Sequence, residues 1–145
     1  MHEVPDWAAG LDLAPLAGEG GFFAGTFRSA HTAEPAGFPG ERAFASAIYF
    51  LLAAGQQSAW HQLRADELWF WHRGAPVVLL LGGDGDEPGS VTEVRLGPDL
   101  AAGERPQAHL PAGQWQSTRP VTADTLVSCV VTPGFEYADF RLTGG

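Results

Sequence analysis

The chain has 145 residues, a length that suits one domain with a buried core. Hydrophobic residues make up 45% of it and charged residues 17%, a balance that excludes an intrinsically disordered chain. With 17 acidic against 8 basic residues the formal net charge is −9, and so acidic a surface repels a phosphate backbone. We therefore expect no nucleic acid among the partners of this protein.

Targeting and redox features are few. The first residues lack a basic start followed by an apolar run, and no segment approaches the roughly 20 apolar residues of a membrane helix. Cys129 is the single cysteine, which excludes a disulfide within the chain. These features predict a cytoplasmic protein without a signal peptide and with no membrane partner.

Taken in chain order, the pattern predicts one short helix and then strands. The helix is expected around residues 6–16, where Gly10 and Pro15 keep it short. Apolar and β-branched runs separated by Gly/Pro turns follow it. The predicted strands are 21–29, 43–52, 58–63, 67–72, 76–81, 91–96, short ones near His109 and Trp115, 121–131 and 137–142. The order predicts a single all-β domain over residues 1–145, a sandwich or barrel.

Two spaced motifs carry the chemistry. Gly55, His61, Leu63, Glu67 and Gly74 resemble the first cupin motif, in which Gly, His, His, Glu and Gly stand at this spacing. A strand, a tight turn and a returning strand place His61 and Glu67 on one wall, both pointing inward. Residues 111–116 resemble the second motif, Pro-x-Gly-x-x-His.

A longer resemblance covers about residues 13–142. The chain is similar to a family of small single-domain cupins, mostly of unassigned function and often compared with the sugar epimerase RmlC. The resemblance implies a cupin double-stranded β-helix, which is a jelly-roll barrel, and a homodimer. It is carried by nine segments in the same order: 19–23, 26–29, 47–52, 58–61, 66–69, 95–100, 103–107, 111–116 and 132–136.

The chain departs from these relatives at positions that bear on chemistry. Metal-binding cupins use His where Leu63 and Gln116 stand, and His61 with Glu67 and an amide is a poor set for zinc or iron. We predict no cofactor, with a weak divalent metal on His61, Glu67 and Gln116 as the alternative. The family's Arg-Glu pair is replaced by Ala24 and Gly25, and a His by Phe70, which favours a more hydrophobic ligand.

The candidate site residues follow from strand alternation. Glu67, Trp69 and Trp71 share one face of their strand, and Trp115 with Gln116 approach from the opposing wall. They form either an aromatic box that binds a small molecule or a set of rings that simply fills the barrel.

Proton chemistry is assigned to a smaller set. His61 and Glu67, at hydrogen-bond distance, are a candidate general base with an orienting carboxylate, and Tyr49 is a candidate acid if it faces the pocket. The alternative is a buried polar pair that satisfies its own hydrogen bonds. Arg28 either meets an anionic ligand or pairs with Glu19.

Three functions remain open at this stage. The leading hypothesis is a non-redox isomerase, epimerase or cyclase that acts on a rather hydrophobic small-molecule substrate inside the barrel. An apolar pocket can also promote cyclisation by holding a flexible substrate in a reactive conformation. The second hypothesis is a non-catalytic cupin that binds a small ligand. The third is a metal-dependent cupin oxygenase, which the missing histidines disfavour.

Overall fold

The structure, a computed structural model, describes residues 2–143. Within them three short 3-10 helices occur, Asp6–Leu11, Leu100–Ala102 and Tyr137–Asp139, and no α-helix. The strands, numbered β1 to β13 in chain order, are Ala14–Pro15, Phe22–Arg28, Thr32–Ala33, Arg42–Ala43, Ser46–Leu52, His61–Leu63, Asp66–Arg73, Val77–Leu81, Thr92–Leu96, Gln107–Leu110, Trp115–Thr118, Thr125–Thr132 and Phe140–Leu142. The predicted N-terminal helix is therefore a single 3-10 segment, and β1 begins where its second half was expected.

Two antiparallel sheets form the body of the molecule. The larger has the order β1-β2-β5-β12-β7-β10, and the smaller has the order β13-β6-β11-β8-β9. Strands β3 and β4 make a separate small ribbon. Neighbours in both sheets are mostly distant in sequence, as in a jelly roll, so the predicted all-β jelly-roll fold is confirmed. Among the described residues no helix is long and apolar enough to span a membrane.

Several predicted strands are shorter than the sequence pattern indicates, and the predicted strand 137–142 begins with the 3-10 helix Tyr137–Asp139, which leaves only β13. The run 43–52 is split into β4 and β5 around Phe44, and the run 58–63 is reduced to β6. The backbone before β6 is bonded in two directions: Ala59 N donates to the carbonyl oxygen of Glu19 at 2.7 Å, and Ser58 N donates to the hydroxyl of Thr118, the last residue of β11, at 2.9 Å. These bonds attach the segment before β6 to the loop that carries Glu19 and to the end of β11.

The core lies between the inner faces of the two sheets. Its main cluster includes Phe50, Trp69 and Val127 from the larger sheet and Val77 and Leu79 from the smaller one, all at most 2% exposed. Removing such area from water stabilises the fold by about 25 cal/mol per Å². A second cluster surrounds Leu63 and Val131 at the other end. The interior between these two clusters is hollow.

Candidate functional site

A cavity of about 270 Å³ occupies this interior. Its volume is near the lower end of the roughly 300–1,000 Å³ of small-molecule pockets. The walls are mostly aromatic and aliphatic, and the polar exceptions are few. Those with ionisable side chains, apart from the thiol of Cys129 and the exposed phenol of Tyr137, are Glu19, Arg28, His61 and Glu67. The cavity can therefore enclose a small, largely apolar molecule and address it with few polar groups.

His61 is held rigidly on β6. Its Nδ1 lies 2.7 Å from the carbonyl oxygen of Ala59, and its ring stacks on Phe140 with centroids 5.4 Å apart. Because a carbonyl oxygen only accepts hydrogen bonds, Nδ1 must carry a hydrogen. Nε2 lies 3.0 Å from Oε1 of Glu19, in a site where the His61 side chain is 4% exposed. Nε2 is thus the atom at which His61 gains or loses a proton.

Glu19 reaches the cavity from the loop between β1 and β2. Ser58 Oγ donates to its Oε1 at 3.2 Å, and its carbonyl oxygen accepts from Ala59 N. The next residue, Gly20, has φ +99°, and a Cβ there would lie 2.7 Å from the Gln57 carbonyl oxygen. The loop can lie this close only because residue 20 is glycine. The close packing fixes Glu19 beside His61.

Glu67 stands on β7 with its own partner. Gln116 Nε2 donates to Glu67 Oε1 at 2.8 Å, and Gln116 lies opposite His61 in the β11–β6 register. Both side chains are buried, and Gln116 Oε1 has no hydrogen-bond partner among the described residues. Gln116 therefore orients Glu67.

Burial dominates the electrostatics of the three groups. It raises the pKa of Glu19 from 4.5 to about 7, against a smaller lowering by the Ser58 hydrogen bond. Burial also raises the pKa of Glu67. The charge of His61 works against this rise, and the charge of Glu19 adds to it. Burial lowers the pKa of His61, against the Ala59 hydrogen bond and Glu67. All three groups are thus biased toward their neutral forms.

The raised pKa of Glu19 makes stability depend on pH. The folded chain keeps a proton up to about pH 7 that an unfolded Glu with pKa 4.5 has already released, so Glu19 destabilises the fold increasingly as pH rises through this window. We expect Glu19→Gln to gain about 2.5 kcal/mol in free energy of unfolding, relative to the parent, between about pH 5 and about pH 8. Urea titrations at both pH values measure it. A difference between parent and variant that does not change with pH contradicts the prediction.

The structure separates the predicted site residues into two groups. His61, Glu67, Trp69 and Arg28 line the cavity. The other four predicted residues do not line it: Tyr49, Trp71, Trp115 and Gln116. Glu19, which the sequence analysis considered only as a partner for Arg28, lies at the centre. In the sequence Glu19 is a single acidic residue before two glycines. That pattern predicts a turn, but it does not show that the turn packs beside His61.

Tyr49 faces away from the cavity. Its neighbours on β5, Ile48 and Phe50, line the cavity, and Tyr49 instead lies on the outer face with its ring 6.3 Å from that of His72. Alternation along the strand therefore excludes the role of cavity acid that was predicted for it.

The two tryptophans lie elsewhere for different reasons. Trp71 lies four residues beyond Glu67 on β7, about 13 Å along the strand, and its Nε1 donates to the Ala75 carbonyl oxygen. Trp115 precedes Gln116 on β11, so the two side chains point to opposite faces of the sheet. The Nε1 of Trp115 donates to the Gly85 carbonyl oxygen at 2.8 Å. Both rings are structural, and the predicted aromatic box is replaced by phenylalanines with Trp69.

The hydrogen bond predicted between His61 and Glu67 is replaced by two other pairings. Nε2 of His61 lies at hydrogen-bond distance from Glu19, and Glu67 is bonded to Gln116. Arg28 lies half exposed at the mouth, where Nη2 lies 2.6 Å from Glu136 Oε1 and Nη1 donates to the Phe135 carbonyl oxygen. Arg28 therefore pairs with Glu136 and not with Glu19.

The donor set does not fit a tightly bound divalent metal. Leu63 presents an alkyl chain where the second histidine would stand, and Gln116, which does not line the cavity, supplies only a neutral amide in place of the other histidine. Within residues 2–143 no three His, Cys, Asp or Glu side chains gather closely enough to hold a metal ion. Zinc and iron sites in proteins need such a set. A weakly held ion stays a prediction of the sequence.

The hollow jelly roll and its enclosed polar cluster define a small cupin. The chain belongs to the Cupin_5 family of the cupin superfamily (DUF985), whose family profile matches residues 5–143. It is similar to the protein SO0799 from Shewanella oneidensis, with 37% identity and a TM-score of 0.83 over 98% of this chain and 85% of that one. A hypothetical protein from Leishmania major matches with 30% identity and a TM-score of 0.82 over 93% and 84%. No curated protein matches the chain significantly.

More distant similarity shows the fold alone. An oxalate decarboxylase from Bacillus subtilis matches with 14% identity and a TM-score of 0.60 over 91% of this chain and 30% of that one. Distant structural neighbours therefore include an enzyme. The family resemblance that the sequence predicted is confirmed by the Cupin_5 match over residues 5–143.

Proposed function

We propose that this cupin is a non-redox isomerase, epimerase or cyclase that acts on a small, rather hydrophobic substrate. The single observation that carries the proposal is the His61–Glu19 pair inside an apolar cavity. Nδ1 is committed to the Ala59 carbonyl oxygen, so Nε2 and the Glu19 carboxyl 3.0 Å away share one exchangeable proton. An imidazole beside a carboxyl whose pKa burial raises to about 7 is the kind of pair that general acid–base catalysis uses.

The chemical step is a proton transfer at carbon. The pair accepts a proton from a C–H bond next to an electron-withdrawing group, and the electrons of that bond pass into the substrate as an enolate. Return of the proton to the other face of the same carbon gives epimerisation, and return to another atom gives isomerisation. Attack of the enolate carbon on an electrophile within the same molecule gives cyclisation. Atoms and electrons balance without an oxidant or reductant.

The apolar walls support the step in two ways. Phe23, Phe50 and Phe140 exclude water from the pair, which strengthens electrostatic interactions inside the cavity. They also hold a flexible substrate in a compact shape, which favours a cyclisation by proximity.

Solvent deuterium incorporation tests the proposal without knowledge of the natural substrate. The purified chain is incubated in D₂O with a panel of small apolar ketones and esters, and NMR follows the loss of the C–H signals next to the carbonyl. We expect enzyme-dependent exchange of at least one compound. Exchange that stays at the buffer rate for every compound, including at raised protein concentration, counts against an isomerase, epimerase or cyclase of this kind.

A non-catalytic binding cupin is the second candidate. This alternative is favoured because Gln116 does not line the cavity. Its amide N–H donates to Glu67 within the protein and does not reach a substrate. Ligand binding without exchange identifies this alternative. The homodimer and the cytoplasmic location stay predictions from the sequence and its family resemblance.

A further inference from the structure

A second pocket, called here the outer pocket, lies on the outer face of the smaller sheet. Along β6, His61 and Leu63 line the central cavity, so Gln62 between them faces the opposite side of the sheet. In the strand registers Gln62 lies between Trp115 of β11 and Arg141 of β13. The outer pocket has a volume of about 270 Å³. It is lined by Gln62, Arg64, Gly113, Ala138, Asp139 and Arg141.

Positive charge is concentrated at the outer pocket although the protein is acidic. All eight basic residues of the chain are arginines, against 17 acidic residues. Arg64 and Arg141 line the pocket, and Arg42 lies buried beside Asp139, with Nη2 3.3 Å from Oδ1. Arg64 Nε lies farther from the same oxygen, at 3.8 Å. Among residues 2–143, three arginines thus share the one carboxylate of the lining, which leaves a local excess of two positive charges.

Both guanidinium groups of the lining are held in place while most of their donors stay available. Arg141 lies over the ring of Trp115, with Cζ 5.2 Å from the ring centroid, and its Nη2 donates to the carbonyl oxygen of Asp86 at 2.9 Å. Arg64 lies over Phe38 at 6.0 Å, and its Nη1 donates to a main-chain carbonyl oxygen at 2.7 Å. A guanidinium has five N–H donors, so each keeps several for a ligand. Because both groups are fixed beforehand, little side-chain entropy is lost on binding.

We infer that the outer pocket binds the phosphate group of a small phosphorylated molecule. A phosphate monoester carries about two negative charges near neutral pH, which matches the excess charge of the lining. Its oxygens also fit the planar forks of Arg64 and Arg141, since guanidinium groups bind phosphate bidentately. The site lies on the opposite side of β6 from His61, so this inference is independent of the proton chemistry proposed for the cavity.

The rest of the protein restricts the ligand to a small molecule. The formal net charge of −9 repels long polyanions and anionic membranes, whose further phosphates would lie over an acidic surface. The volume of the outer pocket, about 270 Å³, is near the lower end of the range for small-molecule pockets. A single phosphate with a small organic group satisfies both limits.

Three aromatic probes that differ in charge test this inference by binding alone. Phenyl phosphate, benzenesulfonate and benzyl alcohol are titrated into the full chain slightly above neutral pH and at low ionic strength, and amide NMR spectra follow the binding. We expect phenyl phosphate to bind at least about ten-fold more tightly than the singly charged sulfonate and to shift the signals of Gln62 and Gly113. Benzyl alcohol should leave those signals unchanged. No binding of phenyl phosphate at millimolar concentration, or shifts confined to the central cavity, overturns the inference.

Arginine substitutions identify the charges that bind the phosphate. Arg64→Gln and Arg141→Gln are each expected to weaken phenyl phosphate binding by at least about ten-fold, because each removes charge-assisted hydrogen bonds. Arg105→Gln is the matched control, since Arg105 also donates to main-chain carbonyl oxygens, those of Leu100 and Glu104, but lies outside the outer pocket. It changes the net charge equally and should leave the affinity unchanged. An equal loss in all three variants attributes binding to net charge and contradicts the site.

Arg64→Gln keeps the test decisive if Arg141→Gln does not fold. Arg141 covers the buried ring of Trp115, whereas the Arg64 side chain is 48% exposed. Undiminished phenyl phosphate binding in Arg64→Gln then contradicts the inference. The binding measurements involve no turnover, so a failure of the deuterium-exchange experiment contradicts the proposed enzyme and leaves the phosphate site intact.

Discussion

Glu19→Gln is expected to lower the rate of solvent exchange on a responding ketone by about 100- to 10,000-fold, the range of general acid–base contributions. The amide keeps the size of the side chain and its contacts with Ser58 and His61. It cannot accept or release a proton near neutral pH, so the pair with Nε2 of His61 loses its function. NMR-monitored exchange rates of parent and variant measure the effect.

His61→Gln is expected to lose as much activity as Glu19→Gln, and the double variant little more than either. Residues that act as one unit give grossly non-additive losses, because removing either partner already disables the proton transfer. Glu93→Gln, a carboxyl change outside the cavity, is the control and should retain the full rate. If the losses of the two single variants multiply in the double variant, Glu19 and His61 act independently and the shared-proton mechanism is wrong.

Gly74→Ala is expected to destabilise the fold by about 4 kcal/mol or more, among the largest effects of single substitutions. Gly74 follows β7 with φ +105°, and a Cβ there would lie 2.1 Å from the Asp124 carbonyl oxygen and 2.7 Å from Thr125 Cα. Backbone atoms cannot move aside without displacing the start of β12, which Thr125 anchors through its hydrogen bonds with Ala75. Thermal unfolding should show a Tm lower by about 10 °C.

Gly113→Ala separates the clash from the backbone preference. Gly113 has φ +83°, but a Cβ there would meet nothing within 4 Å. The substitution should therefore cost only the conformational penalty of about 1 kcal/mol. If the two alanine variants unfold at the same temperature, close packing at Gly74 is not what requires glycine there.

Much of the fold was predictable because it depends on local patterns. Alternating apolar residues and Gly/Pro turns marked the strands. The motif spacing around His61 and Glu67 placed both side chains inside the barrel, since each stands at a fixed parity on a short strand. The same rule applied strictly would have separated Trp115 from Gln116, because adjacent residues on one strand face opposite sides.

The partners within the site were not predictable in the same way. Glu19 lies 42 positions before His61 in a loop, and nothing in the local pattern shows that Ala59 N binds its carbonyl oxygen. The identity of the Arg28 partner, Glu136, likewise depends on the segment after β12 lying beside the end of β2.

The amino-acid sequence by itself determined the all-β jelly roll, the family and the inward positions of His61 and Glu67. These follow from side-chain alternation and from turn residues, which act over a few positions of the chain. Only the tertiary structure decided that Glu19 pairs with His61, that Gln116 holds Glu67, and that Tyr49, Trp71 and Trp115 lie outside the cavity. Those contacts join segments distant in sequence, and their burial, which sets the pKa values of the carboxyl groups, exists only once both sheets have closed around them.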